Sequence, residues 1–180
     1  MSNARNLADI VTGNFDVPLG ALDNANDASA LTTGTLGTAR LPAGSVIQVV
    51  NHRNSAANTT TSTIFVATNS TATITPTSST SKILIITNSP VYINGDNGHV
   101  YTTIYRNSTN LNPGNNELQL FSAGTSGTGR WTNGSMSFLD SPSTTSATTY
   151  TVYFKATVAG SAYYDANGGM AVMTVMEIAG

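Results

Sequence analysis

The chain has 180 residues, no cysteine, 9% charged residues and a formal net charge of -2. That length buries a core without staples, and the missing thiols exclude disulfides, thiolate metal sites and cysteine nucleophiles together. The few cations, Lys82, Lys155 and five arginines, leave no basic footprint for nucleic acid. Polarity comes instead from Thr, Ser and Asn, residues that suit pleated strands and tight turns. No apolar run approaches the roughly 20 residues that span a bilayer, so no membrane insertion is expected. The opening MSNARNLADIV has neither the cationic start nor the apolar core of a signal peptide. The sequons at Asn58, Asn69, Asn107 and Asn133 are therefore read as products of composition.

Residues 1–44 differ from the rest. Leu7, Ile10 and Val11 allow one short helical turn, which Gly13, Pro18 and Gly20 break. Four acids lie here: Asp9, Asp16, Asp23 and Asp27. Next comes LTTGTLGTARLPAG, in which Leu31, Leu36 and Leu41 stand five apart, a spacing that fits neither the helical nor the strand period. A lone chain cannot bury such a ladder, whereas three chains wound about an axis can turn each leucine inward. The segment is expected to be an extended docking arm and linker, and 45–180 the folded domain.

The run LTTGTLGTARLPAGSVIQVV at 31–50 resembles a linker in fibre proteins of tailed bacteriophages, especially marine ones, where it precedes a β-rich terminal domain. The opening NARNLADIVTGNFDVP and the closing TVMEI are similar to the start and last strand of such proteins. The resemblance implies a virion protein with residues 1–44 bound to tail, baseplate or capsid proteins; the homotrimer is expected from the leucine ladder and the two-faced last strand, both of which ask for partner chains.

From Ser45 the pattern is one of strands. Val46–Val50 reads as the first, and Asn51–Thr61 as a polar loop. Thr63–Thr68 and Lys82–Thr87 head a local echo, STIFVATNS against SKILIITNS, read as two strands of one sandwich with a short strand Ala72–Thr75 between. Pro76 and Pro90 are expected to cut these runs. Val91–Ile93, the loop NGDNG and His99–Arg106 read as a hairpin. Leu118–Phe121 and Met136–Leu139 flank a Gly-rich loop carrying the only tryptophan, Trp131. In Thr149–Val158 the residues Tyr150, Val152, Phe154, Ala156 and Val158 alternate with polar ones, the signature of a half-buried strand. Met170–Ile178 is apolar on both faces, which implies a closing strand either inside the sandwich or with its second face against another chain, and Met173 and Val175 are assigned to that interchain contact. Ala159–Gly169 reads as a long loop. The expected fold is all-β: an antiparallel, jelly-roll-like β-sandwich with an extended N-terminal arm.

Chemistry is thinly represented. Asp96, Glu117, Asp140, Asp165 and Glu177 are scattered without repeated spacing, His52 and His99 are the only histidines, and no nucleophile elbow is present. A non-enzymatic protein without cofactor or metal is expected. Glu177 is expected to pair with an arginine or to cap an edge. Asn94, Asp96, Asn97 and His99 read as an ordinary turn in preference to a Ca²⁺ loop, which needs more carboxylates. For Trp131, with Arg130 and Asn133, a structural plug at the end of the sandwich competes with a glycan contact. The same choice holds for Tyr163, Tyr164, Asp165 and Asn167. The expectation is a short trimeric virion fibre, exposed on the particle surface and contacting host polysaccharide. Alternatives are a capsid decoration or cement protein, a head fibre, a free carbohydrate-binding module and a depolymerase.

Overall fold

The computed structural model describes residues 40–94, 98–112, 118–122, 129–157, 160–165 and 169–180. Leu31, Leu36, Asp96, Asn97, Glu117 and Asn167 lie outside these, as do residues 1–39. Pro42–Gly180 forms one compact unit.

The strands are β1 (Val46–Asn54), β2 (Asn58–Thr60), β3 (Val66–Ile74), β4 (Lys82–Asn94), β5 (His99–Arg106) and β6 (Thr109–Asn110). They continue with β7 (Gln119–Ser122), β8 (Arg130–Asp140), β9 (Thr148–Ala156), β10 (Ser161–Tyr164) and β11 (Ala171–Ile178). Every pairing is antiparallel. In the first sheet β8 runs along one edge of β4, while β11 and β10 lie end to end along the other. β1 and β2 lie end to end in turn against β11 and β10. In the second sheet β5 stands between β9 and the collinear β6 and β7, and β3 pairs with β9.

Because three pairs are collinear, the eleven strands trace eight paths, four to each sheet. Numbered along the chain, the paths run 1-8-3-6 in the first sheet and 2-7-4-5 in the second. Path 1 pairs with 8, 2 with 7, 3 with 6 and 4 with 5, so the chain is one long antiparallel hairpin rolled into two facing sheets. That is a jelly roll, the fold class the sequence led us to expect.

The alternation in β9 falls as its sequence dictates. Tyr150, Val152, Phe154 and Ala156 point into the core at 1% exposure or less. β11 is an interior strand between β1 and β4. Its Ala171, Met173 and Val175 are fully buried in this chain's own core, so Met173 and Val175 are not the interchain contact expected of them. The face that β11 leaves outward carries Val172, Thr174, Met176 and Ile178.

Four local expectations are corrected. Pro90 does not cut a strand: β4 runs through it. The Pro90 carbonyl accepts a hydrogen bond from the Asp165 amide, in the gap where β11 has ended and β10 not yet begun, so the missing proline N–H falls where no ladder bond is lost. Residues 51–54 and 58–60 are strand, not loop. Ala72–Ile74 continues β3 across a register shift between Ala67 and Thr71. Finally, β4 and β5 are not a hairpin but cross from one sheet to the other.

β8 is longer than its apolar residues imply. Gly134 interrupts the pattern because the Phe121 ring, from the opposite sheet, fills the space of its missing side chain; a Cβ there would stand 2.7 Å from Phe121 Cζ. Asp140 ties the sheets together from the end of β8, accepting hydrogen bonds from Arg106 Nη1 (2.9 Å) and the Tyr150 hydroxyl (2.7 Å).

Candidate functional site

β10, β4 and β8 place Tyr163, Tyr92 and Trp131 directly opposite one another. All three face outward, since their neighbours Ala162, Val91 and Ile93 fill the core. The ring centroids of Tyr92 and Trp131 are 4.6 Å apart with planes tilted by 31°, and those of Tyr92 and Tyr163 are 5.4 Å apart at 57°. The result is an aromatic strip across three strands. Trp131 ends it on the edge strand and is 52% exposed, so a ring face is open to solvent. Asn133, exposed and two residues along β8, shares that side of the sheet.

Gly129 closes one side of the strip: a Cβ there would clash with the Tyr92 hydroxyl, so the bare glycine backbone crosses close beside that ring and a larger residue would push the ring aside. Beneath Trp131, between the edges of the two sheets, is a cleft of about 290 Å³. Val91, Ile93 and Phe121 line its inner part, with Leu120 and Ser122 of β7 on one wall and Arg130 and Thr132 of β8 on the other. An aromatic platform beside amide and guanidinium donors can stack on an apolar sugar face and bind its hydroxyls.

Trp131, Arg130, Asn133 and Tyr163 are thus brought to one end of the first sheet. Trp131 and Tyr163 lie on strands, not on the loops expected of them. The structure separates Tyr164 and Asp165 from this set, because strand alternation turns Tyr164 to the opposite face from Tyr163. It is 2% exposed and packs on Phe154 with centroids 6.1 Å apart. Burial, reinforced by the charge of Asp165, pushes its hydroxyl well above the usual tyrosine range. Asp165 is fully buried with φ at 61°. Its carboxylate accepts hydrogen bonds from Asn54 Nδ2 (2.7 Å) and the Ser89 hydroxyl (3.0 Å), which pins the chain as it leaves β10. Burial raises the Asp165 pKa, and these bonds only partly offset it. Neither residue can touch a ligand. Leu41 is half-buried and is the one ladder leucine among the described residues.

Tyr92 was the residue missed. Its signal was present in the alternation VYIN, which turns Val91 and Ile93 inward and Tyr92 outward on a stretch that reads as a strand; what the sequence does not show is that β10 and β8 bring Tyr163 and Trp131 to either side of it.

Glu177 has no arginine. It is fully buried and accepts from Gln48 Nε2 (2.6 Å), the Thr77 amide (2.7 Å) and the Thr77 hydroxyl (2.8 Å). Burial alone would raise its pKa; the hydrogen bonds from Gln48 and Thr77 outweigh that and hold it below the usual carboxylate range. Among the described residues no three His, Asp or Glu side chains cluster as metal ligands would. His52 Nε2 lies 3.1 Å from the Asn69 carbonyl, and the His99 ring stands edge-on to Tyr101.

The second sheet's outer face also carries aromatic residues, but they close on themselves. Tyr105 and Tyr153 stack at 3.9 Å, and Lys155 Nζ lies 4.5 Å from the Phe65 centroid and 4.9 Å from that of Tyr101. Among the described residues each of these rings is half-buried, whereas Trp131 is 52% exposed.

No protein-family model and no curated protein matches the chain. Among solved structures it is similar to T=1 particles derived from infectious bursal virus, with a TM-score of 0.37 and 10% identity over 75% of this chain and 37% of that one. A structure of the infectious bursal disease virus Gx strain gives a TM-score of 0.33 and 13% identity over 75% of this chain and 39% of that one. The VP2 subviral particle of infectious bursal disease virus gives 0.36 and 10% over 75% and 38%. The chain therefore spans well under half of each of these chains, and the jelly-roll assignment rests on its own strand order.

Proposed function

We propose that this chain is a non-enzymatic virion structural protein of the short-fibre type, whose sandwich contacts host-surface glycan through Tyr163, Tyr92 and Trp131. The observation that carries the glycan contact is the aromatic strip: three rings in register on a solvent face, one of them a half-exposed tryptophan. The virion role is supported by the resemblance of residues 31–50 to phage-fibre linkers, and jelly rolls serve as both capsid and lectin domains. Residues 1–44 attach the protein to the particle. One stacked sugar contributes only a few kcal/mol at most, so attachment arises from many weak heads held together.

The test is binding of fluorescent full-length protein to host cells and to their extracted polysaccharide. Trp131→Ala, at a half-exposed position, should keep the fold and lower binding at least about tenfold. Binding unchanged in Trp131→Ala would remove the strip from the reading. Absence of binding, together with a raised disruption temperature of particles carrying the protein, would favour capsid decoration.

A further inference from the structure

The half of the first sheet away from Trp131 is apolar on its outside as well as its inside. Val49 pairs with Met176, Met176 with Leu84 and Leu84 with Leu139, one apolar row across β1, β11, β4 and β8. Ile178 and Val46 form a second row below it, and Ile86 stands above. Val46, Val49 and Leu139 are each more than half exposed, at 51%, 56% and 52%. The outward face of an antiparallel sheet in water is ordinarily polar. The second sheet meets that expectation at its β3 edge, where Thr71 and Thr73 pair with Thr151 and Thr149.

We propose that a second copy of this chain packs on this face, centred on the row Val49, Met176, Leu84 and Leu139. The proposal is independent of the glycan reading, because the row lies in the other half of the face from the aromatic strip. Charge selects the occupant. Among the described residues the charged ones on the face are Lys82 and Arg53, one at the start of β4 and the other on the edge strand β1. A charged partner therefore gains little, whereas a copy meets the central rows without burying an ion. The residues between the apolar positions are Asn51, Thr174, Ser137, Asn88 and Ser135, groups that both donate and accept, so the same surface turned over can satisfy itself.

Size sets the strength. Seven residues of β4 and four strand widths give a plane of roughly 24 Å by 19 Å, about 450 Å², against about 800 Å² per partner in a standard interface. The contact belongs to the weak class, with a dissociation constant of about micromolar or above, and it tightens when fibres are held together on a particle.

Sedimentation velocity of the full chain from about 1 to 300 μM should show mass rising with concentration. Leu139→Glu should weaken that association at least about tenfold by placing an unpaired charge in the contact. Should Leu139→Glu not fold, Val49→Lys on the edge strand gives the same test. Ile64→Glu, at the most exposed apolar residue outside the face, should leave association unchanged. A mass constant over the whole range overturns the proposal. So does association that survives both face variants, or that Ile64→Glu weakens equally.

Discussion

Glu177 offers the sharpest test of how the sandwich is held together. Its carboxylate sits in the core of the first sheet and is satisfied entirely by neutral donors, Gln48 of β1 and Thr77 of the β3–β4 connection. Glu177→Gln keeps the shape. The Thr77 amide and hydroxyl both bond to Oε1 and can still be accepted by an amide oxygen. The Gln48 amide bonds to Oε2, where the substitution puts an NH₂ group, so two donors face each other. A hydrogen bond to a charged group is worth about 1.5–3 kcal/mol, and a buried donor without a partner costs about 1–3 kcal/mol more. The expected loss is therefore about 2.5–6 kcal/mol, a fall in Tm of roughly 8–24 °C for a domain of this size.

The pH dependence fixes the sign. The Glu177 pKa is lowered on folding, so its contribution is complete above the unfolded value, 4.5, and is lost as pH falls through the lower folded value. Thermal melts of wild type and Glu177→Gln should lie far apart at pH 7 and converge at strongly acid pH. Asp165 acts in the opposite sense. Its pKa is raised, so it costs stability at neutral pH and the cost lifts as pH falls through the folded value. A variant melting within about 2 °C of wild type at pH 7, or a gap that stays constant down to acid pH, would refute the account of Glu177.

Gly134→Ala should cost about 1–3 kcal/mol in denaturant melts, because the new methyl group meets the Phe121 ring. Asp140→Asn should lower stability by about 1–3 kcal/mol: an amide oxygen in the Oδ2 place can still accept from both Arg106 and Tyr150, but the negative charge facing Arg106 and the Oδ1 bond are lost; Tm reads it directly. Lys155→Met should cost about 1 kcal/mol by removing the ammonium from between Phe65 and Tyr101, and the loss should persist in 1 M salt, as expected of a ring-packed cation.

Much of the fold was legible because half-buried strands write their two faces into alternate residues, as Tyr150 to Ala156 do. The errors arose where a residue's local meaning was overruled by its neighbour in space. Pro90 reads as a breaker until the gap between β11 and β10 is known. Gly134 reads as a turn until Phe121 is seen in its place. Glu177 invited an arginine because sequence alone does not say that Thr77 and Gln48 converge on it across distances of 100 and 129 residues. For the site, sequence singled out Trp131 and Tyr163 without deciding between a structural plug and a ligand contact, and grouped them with Tyr164 and Asp165 by proximity along the chain. A single step along a strand reverses the face, so proximity in sequence was the wrong measure.

The contrast between the two outer faces ties the site to the assembly. On the second sheet, aromatic rings stack on one another and on Lys155, and the segment carrying Phe65 lies over them, so that face is covered from within. On the first sheet nothing described in this chain covers either the apolar row or the Trp131 ring. One half of that face is aliphatic, with charge among the described residues only at Lys82 and Arg53, and suits a copy of itself; the other half is aromatic, with Asn133 beside Trp131 and Arg130 on the wall of the cleft beneath, and suits a polar ring such as a sugar. If copies pair through the aliphatic half, each pair sets two aromatic strips at a fixed spacing. Weak individual contacts would then add along a repeating polysaccharide. Leu139→Glu should therefore lower binding to polymer while leaving binding to a single-repeat oligosaccharide unchanged, and Trp131→Ala should lower both. Equal losses for Leu139→Glu on polymer and oligosaccharide would show that the two halves do not cooperate in this way.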